Sequence, residues 1–147
     1  ASDAGYGFIV KLEELYAKNK NGKAMLSLPK GSKPLTPKVI TTIENDWIAA
    51  ATNTGHLLLF PLKELPELNK GKGNKIMAIP SSRVAAREEF VVDIAVLSAE
   101  QTLVIKSGNK QLKLKPADWQ HYAGERGRRG NKLPRGFQKV DSLEAPR

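Results

Sequence analysis

A repeat with a period of about fifty residues constrains this sequence more than any other feature. Gly5, Gly55 and Gly108 lie 50 and 53 residues apart, and a short apolar segment follows each of them. A second glycine landmark then follows in every copy, as Gly-Lys or Gly-Asn-Lys. A fixed period of this size is typical of propellers, solenoids and other arrays whose neighbouring copies share a continuous core. The predicted repeats cover approximately residues 1–50, 51–103 and 104–143.

The first glycine of each repeat indicates a β-hairpin. Gly55 separates the apolar segments 47–51 and 57–60, and Gly108 has the same position in the third repeat. Glycine suits such a turn because it adopts positive φ at little cost. Other segments rich in β-branched or large apolar residues predict further strands, about four per repeat. These segments are Ala24–Leu28, Val39–Ile43, Lys75–Ile79, Phe90–Val96 and Phe137–Val140.

Helical structure is expected to be short. The segments after the hairpins, including Lys11–Tyr16 and Pro61–Leu65, are too short to be stable as free helices, so we expect single turns packed on a sheet. Four strands per repeat without a helix between them predict an all-β fold, a propeller-like array of about three four-stranded antiparallel blades. The first hairpin has no leading strand ahead of Gly5, so we expect the array to be part of a longer domain.

The charge of the chain is strongly basic and clustered. A formal net charge of +9 attracts polyanions, of which nucleic acid is the commonest and an anionic membrane surface the alternative. Residues 101–147 hold 11 basic and 4 acidic residues, and the stretches 15–43 and 68–87 hold basic residues and no acid. Such clusters indicate a docking face. The apolar segments are far shorter than the ~20 residues that cross a bilayer, so we expect a cytoplasmic protein without a membrane segment.

The sequence offers little material for catalysis, metal binding or a cofactor. The absence of cysteine excludes disulfides, thiolate nucleophiles and cysteine-based zinc sites. His56 and His121, the two histidines, are far apart and have no Asp or Glu at triad or ligand spacing. The adjacent carboxylates Glu13-Glu14 and Glu88-Glu89 are interpreted as solvated charge. We therefore expect no catalytic residue, no metal site and no cofactor.

The second glycine landmark of each repeat lies in a basic loop. Gly71–Lys75 lacks the G-x-x-x-x-G-K-[ST] spacing of a phosphate loop, and no helix is predicted after it, which argues against a nucleotide site. A tight turn with solvated lysines is the structural alternative. Recurrence in each repeat favours function, with bare glycine backbone admitting a phosphodiester that basic side chains neutralise. The third copy, Gly124–Lys132, is the richest in arginine, whose planar fork suits phosphate oxygens. The predicted nucleic-acid-binding residues are Lys18, Lys20, Lys23, Lys70, Lys72, Lys75, Arg126, Arg128, Arg129, Lys132 and Arg135.

The combined pattern resembles the C-terminal DNA-binding domain that bacterial type IIA topoisomerases carry in their DNA-cleaving polypeptide. The segments Ser2–Phe8, Leu65–Ile76 and Gly124–Gly130 carry the resemblance, which extends from residue 2 to about residue 143 and is greatest with the topoisomerase IV (ParC) branch. It implies a β-pinwheel, in which blades exchange strands with their neighbours and DNA binds the basic outer rim. The gyrase branch carries the box Gln-Arg-Arg-Gly-Gly-Arg/Lys-Gly, which neither Asn69–Gly73 nor Arg126–Gly130 reproduces.

The resemblance also implies a function. The implied role is binding of duplex DNA without sequence specificity and recognition of DNA geometry, in support of supercoil relaxation and decatenation by a separate catalytic core. The implied partners are double-stranded DNA, the N-terminal breakage-reunion domain of the same polypeptide and the ATPase subunit of an ATP-dependent topoisomerase, on the bacterial chromosome. Two alternatives remain open, a gyrase-type DNA-wrapping domain and a basic protein-interaction propeller. An independent enzyme comes last, because no polar residues converge on a site.

Overall fold

Antiparallel sheets and short helical turns form the structure of this chain, as the all-β prediction requires. The computed structural model describes residues 1–9, 32–35, 38, 40, 45–65, 67, 73–134, 136–137 and 139–145. No helix in these ranges has the length and apolar character of a membrane-spanning segment. The strands are β1 (Tyr6–Gly7), β2 (Asp46–Thr52), β3 (His56–Pro61), β4 (Asn74–Lys75), β5 (Val91–Ser98), β6 (Leu103–Ser107), β7 (Lys110–Leu114), β8 (Asn131–Lys132) and β9 (Ser142–Glu144), and the helices are α1 (Ser81–Ala85) and α2 (Pro116–Trp119), with 3-10 turns at Leu62–Glu64 and Gln120–Tyr122.

The described strands form three antiparallel sheets. The largest has the order β5-β2-β3-β8, the second has the order β7-β6-β9, and β1 pairs with β4 in the third. β2 and β3 are the two arms of a hairpin in which Ala51 lies opposite Leu57, and β6 and β7 form another. The turn glycines Gly55 and Gly108 have φ values of 91° and 59°. The hairpins predicted at these two glycines are therefore confirmed, and the reason for glycine is confirmed with them.

Of the other predicted strands, one is confirmed and two are wrong over most of their length. The prediction over Phe90–Val96 corresponds to β5. The prediction over Lys75–Ile79 holds only at its first residue, because the chain leaves β4 at Lys75 and carries Ile76 into the core on irregular backbone. The segment Phe137–Val140 is likewise irregular, and β9 supplies the strand that pairs with β6. A short apolar segment does not distinguish a buried loop from a buried strand.

The helical predictions have mixed outcomes. The single turn expected within Pro61–Leu65 is confirmed as the 3-10 turn described above. Helix α1 was not predicted, although Pro80 immediately before it has the extended backbone (φ −56°, ψ 132°) that often precedes a helix. The predicted turn at Lys11–Tyr16 and the predicted strands at Ala24–Leu28 and, apart from Ile40, Val39–Ile43 lie outside the described residues.

The largest sheet is buried on both faces. Neighbouring side chains of β2 point to opposite sides, so that Ile48 packs in one hydrophobic cluster and Ala49 in the other. Leu58 and Leu59 of β3 divide in the same way. This double burial explains why β3 is a continuous apolar segment without polar alternation. The first cluster draws on the first and second repeats through Ala4, Ile9, Ile76, Met77 and Val84, and the second draws on the third repeat through Leu103, Ile105, Trp119 and Leu143.

Neighbouring repeats exchange strands in the same way at two places. β4 pairs with β1, so that Lys75 of the second repeat lies opposite Tyr6 of the first. β8 pairs with β3, so that Lys132 of the third repeat lies opposite His56 of the second. In both cases the Gly-Asn-Lys landmark of one repeat becomes a strand on the hairpin of the preceding repeat. The strand exchange that the family resemblance implied is therefore present in this chain.

The two exchanged strands are followed by equivalent hydrogen bonds. The amide of Ile76, just after β4, donates to the carbonyl of Gly5 at 2.5 Å. The amide of Leu133, just after β8, donates to the carbonyl of Gly55 at 2.7 Å. Each repeat therefore ends its landmark on the turn glycine of the repeat before it.

Only glycine fits where the landmark meets the preceding hairpin. Gly73 and Gly130 have φ values of 81° and 80°, in the left-handed region. A Cβ atom on Gly73 would collide with the backbone oxygen of Gly7, and one on Gly130 would collide with the backbone oxygen of Leu57. The landmark is glycine because the backbones of neighbouring repeats touch there.

Each of the first two hairpin turns also holds a later segment of its own repeat. Asp3 donates its amide to the carbonyl of Lys33 at 2.9 Å and accepts the Lys33 amide on its carboxylate at 2.8 Å. Asn53 makes the same two bonds with Phe90, at 3.1 Å and 2.9 Å. These clamps stay within residues 1–50 and 51–103, which supports the proposed division into repeats.

The close approach at Gly130 leads to a stability prediction. Gly130→Ala is expected to destabilise the chain by more than the ~1–2 kcal/mol that left-handed backbone alone costs an alanine, because its Cβ also meets the Leu57 carbonyl. Gly108→Ala is the matched control, since Gly108 also has positive φ but has open space within 4 Å of an added Cβ. Equilibrium unfolding in urea measures both losses. Equal losses for the two variants would contradict the packing argument.

Candidate nucleic-acid interface

Five of the predicted nucleic-acid-binding residues lie in the described part of the chain, and the structure brings them together. Lys75 is on β4, Lys132 is on β8, and the three arginines precede β8 in the segment Gly124–Gly130, here called the arginine loop. The predicted residues Lys18, Lys20, Lys23, Lys70, Lys72 and Arg135 lie outside the described residues.

The arginine loop is fastened to the second repeat through its backbone. The amide of Gly124 donates to the carbonyl of Leu59 at 2.8 Å, and the amide of Gly127 donates to the carbonyl of Ile76 at 2.9 Å. Gly127 has a φ of 85°, which a glycine adopts readily. The loop therefore crosses from β3 to the end of β4 as a bound segment, and its side chains project from a defined base.

Two of the three arginines have partners near the surface. Arg126 donates from Nη1 to the carbonyl oxygen of Lys75 at 2.8 Å, which ties the arginine loop to the preceding junction. Arg128 forms an ion pair with Glu125 at 3.2 Å, with exposed side-chain fractions of 72% and 77%. An ion pair this exposed contributes little to stability, so Arg128 is available to another anion.

The third arginine ends on a buried carboxylate. The side chain of Glu89 has no exposed area, and it accepts from Arg83 Nη1 at 2.9 Å and from Arg129 Nη2 in a short ion pair. The interpretation of Glu88-Glu89 as solvated charge is therefore wrong for Glu89. Neighbouring side chains point in different directions here, and a buried carboxylate is tolerated because two guanidinium groups compensate its charge. Nothing in the local sequence signals this, since Arg129 lies 40 residues farther along the chain.

His56 lies beside this ion-pair cluster. Its Nδ1 atom is 3.8 Å from Glu89 Oε1 and 3.3 Å from the hydroxyl oxygen of Thr54. Burial lowers the pKa of His56 below its ordinary value of 6.5, the charge of Arg129 lowers it further, and Glu89 opposes the change. The imidazole is consequently neutral at pH 7.

Three of the predicted basic residues reach solvent and form the exposed basic group, which consists of Lys75, Arg128 and Lys132. Lys75 and Lys132 are the last residues of two Gly-Asn-Lys landmarks, so they occupy equivalent positions at successive junctions between repeats. Such a surface attracts an extended polyanion rather than a small ligand. Among the described residues, no three His, Cys, Asp or Glu side chains lie together in a way that would hold a metal ion.

A further basic feature at the third hairpin was missed in the sequence. An open cleft of about 400 Å³ lies beside the β6–β7 turn and is lined by Lys110 and Lys139 together with Asp141. The Asp141 carboxylate accepts the amide of Gly108 at 2.6 Å, which holds the turn against the later segment. The only available signal was the general basicity of residues 101–147.

The environment of His56 leads to a prediction about pH. A base whose pKa is lower in the folded chain than in the unfolded chain binds fewer protons when folded, so stability is lost as the pH falls below about 6.5. The thermal unfolding midpoint should fall between pH 7.5 and pH 5.5, and this fall should be smaller in His56→Gln. The control is His121→Gln, which removes the exposed histidine. An equal fall in the unaltered chain and in His56→Gln would contradict the prediction.

Comparison with known proteins finds one family along nearly the whole chain. The family model described as "DNA gyrase C-terminal domain, beta-propeller" matches residues 1–33 and 46–98. The A-type polypeptide of DNA topoisomerase 4 from Pseudomonas aeruginosa is 62% identical over 143 residues, which are 97% of this chain and 19% of that protein. The corresponding polypeptide of Escherichia coli is 44% identical over 144 residues, which are 98% of this chain and 19% of that protein. The chain thus spans about a fifth of the length of these relatives.

Solved structures agree with the sequence comparison. The E. coli ParC C-terminal domain superimposes with a TM-score of 0.90 at 44% identity, covering 99% of this chain and 58% of that one. The DNA gyrase A C-terminal domain superimposes with a TM-score of 0.73 at 18% identity, covering 98% of this chain and 48% of that one, a likeness of fold alone. The propeller-like fold predicted from the repeat is confirmed by these structures.

Proposed function

Since the chain belongs to the family of DNA gyrase C-terminal beta-propeller domains, we propose that it binds duplex DNA without sequence specificity and recognises DNA geometry. The observation that carries this proposal is the recurrence of an exposed lysine at successive repeat junctions. Lys75 lies at the junction of the first and second repeats, and Lys132 lies at the junction of the second and third. Equivalent charges on a repeating scaffold suit the repeating phosphates of a duplex.

The backbone at these junctions favours phosphate contact. Each lysine follows a glycine with positive φ and an asparagine on a two-residue strand, so little side-chain bulk surrounds the exposed basic group. Arg128 adds a guanidinium on the same surface, where its exposed pairing with Glu125 is readily exchanged for a phosphate. A duplex that follows successive junctions would bend with the array.

Base-specific recognition is not part of the proposal. Reading the major groove takes a helix or a two-stranded ribbon inserted among the base edges. The helices among the described residues, α1 and α2, have five and four residues and pack with buried Val84 and Trp119. Contacts to the phosphates carry no direct sequence information, so affinity should depend on salt and on DNA shape.

The wider role that we propose belongs to a longer protein. The relatives of this chain are the A-type polypeptides of DNA topoisomerase 4, and the chain covers 19% of their length. On this basis the chain would present DNA to a catalytic core that relaxes supercoils and separates linked circles, in the bacterial cytoplasm on the chromosome. Its proposed partners are duplex DNA, the N-terminal breakage-reunion domain of the same polypeptide and a separate ATPase subunit.

The salt dependence of binding tests the proposal. With roughly 6–8 phosphates neutralised at ~0.9 per contact, a plot of log affinity against log salt should have a slope of about −5 to −7. Fluorescence anisotropy with labelled linear duplexes over a salt series measures it, and two unrelated sequences of equal length should give the same affinity. A slope near zero would contradict electrostatic DNA binding and would favour an acidic protein partner.

The junction lysines give a sharper test. Lys75→Gln and Lys132→Gln should each weaken binding and make the salt slope shallower by ~0.9, because each removes one phosphate contact. Lys63→Gln is the matched control, because Lys63 is an exposed lysine on the 3-10 turn after β3, away from the exchanged strands. If Lys63→Gln changes the slope as much as the junction variants do, the binding surface is not at the repeat junctions.

A further inference from the structure

We infer that Arg129 is a positioning residue for the exposed basic group and does not itself contact phosphate. Together with Arg83 and Glu89 it forms an ion-pair lock, here called the Glu89 latch, that holds the arginine loop of the third repeat on the second repeat. The inference rests on the proposed DNA-binding function and assigns a role within it to Arg83 and Glu89, which the sequence did not single out.

The orientation of Arg129 supports this role. Its side chain is 37% exposed, against 72% for the neighbouring Arg128. One end of its guanidinium contacts the fully buried Glu89, and its Nε atom is buried without a hydrogen-bond partner. Most of the donor fork of Arg129 therefore faces the protein, whereas that of Arg128 faces solvent.

The charge balance of the latch makes Arg129 necessary. Glu89 is a buried carboxylate, and its Oε1 atom has no hydrogen-bond partner, so Oε2 and the two arginines carry the compensation. Removing one partner from a buried ion pair leaves charge uncompensated in a medium of low dielectric. Arg83 alone would then hold Glu89, and the arginine loop would lose its side-chain anchor.

The latch has a firm base on the second repeat. The carbonyl of Arg83 accepts the amides of Glu88 and Glu89 at 2.9 Å and 3.4 Å, which closes the chain after helix α1. The next residue, Phe90, is clamped by Asn53 at the hairpin turn. Glu89 is thus a fixed point on the second repeat, to which Arg129 attaches.

The latch acts directly beside the exposed basic group. Arg128 precedes Arg129 in the chain, and Lys132 lies three residues after it. Between them, Gly130 touches the backbone of Leu57. A shift of Arg129 would therefore move both basic side chains relative to Lys75 at the preceding junction, and spacing along the phosphates would change with it.

Substitution of Glu89 separates a latch from a simple electrostatic effect by the sign of the change. Glu89 is an acid close to a surface proposed to bind DNA, so Coulomb attraction alone predicts that Glu89→Gln tightens DNA binding. A latch predicts the reverse, since Glu89→Gln releases Arg129 and the arginine loop. We expect a several-fold loss of affinity.

The experiment measures duplex affinity of the 147-residue chain over a salt series, using labelled linear DNA. Glu89→Gln and Arg129→Gln should weaken binding at every salt concentration and leave the salt slope unchanged. Arg128→Gln should instead make the slope shallower by ~0.9, as loss of a phosphate contact does. The matched control is Glu125→Gln, which removes an acid that is 77% exposed in the same loop and should not weaken binding.

Thermal unfolding without DNA tests the lock itself. Glu89→Gln and Arg129→Gln should each lower the unfolding midpoint, and the double variant should lose less than the sum of the two, because the residues interact. Affinities are measured below the lowest midpoint, so that only folded chains are compared. Conformational loss and loss of a contact are thereby separated.

Three outcomes would overturn the inference. Tighter binding by Glu89→Gln would show that the acid acts only through its charge. A slope change of ~0.9 for Arg129→Gln would make Arg129 a phosphate contact. Additive thermal losses would show that no lock exists. Absence of DNA binding by the unaltered chain would overturn the proposed function and the positioning role with it, whereas the thermal coupling would still report whether Glu89 and Arg129 are locked.

Discussion

The contact between backbones at each repeat junction is the constraint on which the rest of the structure depends. At Gly73 and Gly130 the chain comes so close to the preceding hairpin that a Cβ atom would meet a carbonyl oxygen. The strands β4 and β8 can pair with β1 and β3 only because of that approach. Repeats are thereby joined by main-chain hydrogen bonds, which depend on few side chains and leave Asn74, Lys75, Asn131 and Lys132 exposed on the outside of each junction.

The strand exchange also explains where the core lies. β3 receives β8 on its open edge, and the residues that follow in each repeat fold against the two faces of the largest sheet. Phe60 and Leu59 are therefore both fully buried although they are neighbours in one strand. A sheet covered on both faces couples adjacent repeats, since each hydrophobic cluster takes side chains from two of them. Stability in such an array comes from interfaces as much as from the repeats themselves.

The sequence predicted the features that depend on local pattern and missed those that depend on distant partners. Gly55 and Gly108 stand between apolar segments, so their hairpins were predictable from turn geometry. The predicted strand at Phe137–Val140 was wrong, because Val140 is buried on irregular backbone and pairing with β6 starts only at β9. Glu89 was interpreted as solvated because its partner Arg129 lies 40 residues away. Of the interface, the basic residues were predictable by type, but the division between exposed and engaged side chains was not.

That division changes what a basic sequence means for DNA binding. The arginine loop has the highest density of positive charge in the chain, yet Arg126 is engaged by the Lys75 carbonyl and Arg129 by Glu89. The charges that face solvent are those placed by the junctions between repeats. On the proposed function, the spacing of phosphate contacts is then set by how adjacent repeats pack, and the arginines inside the structure serve to hold that spacing. A rigid spacing selects for duplexes curved to match it, which is how a surface without base contacts distinguishes one DNA geometry from another.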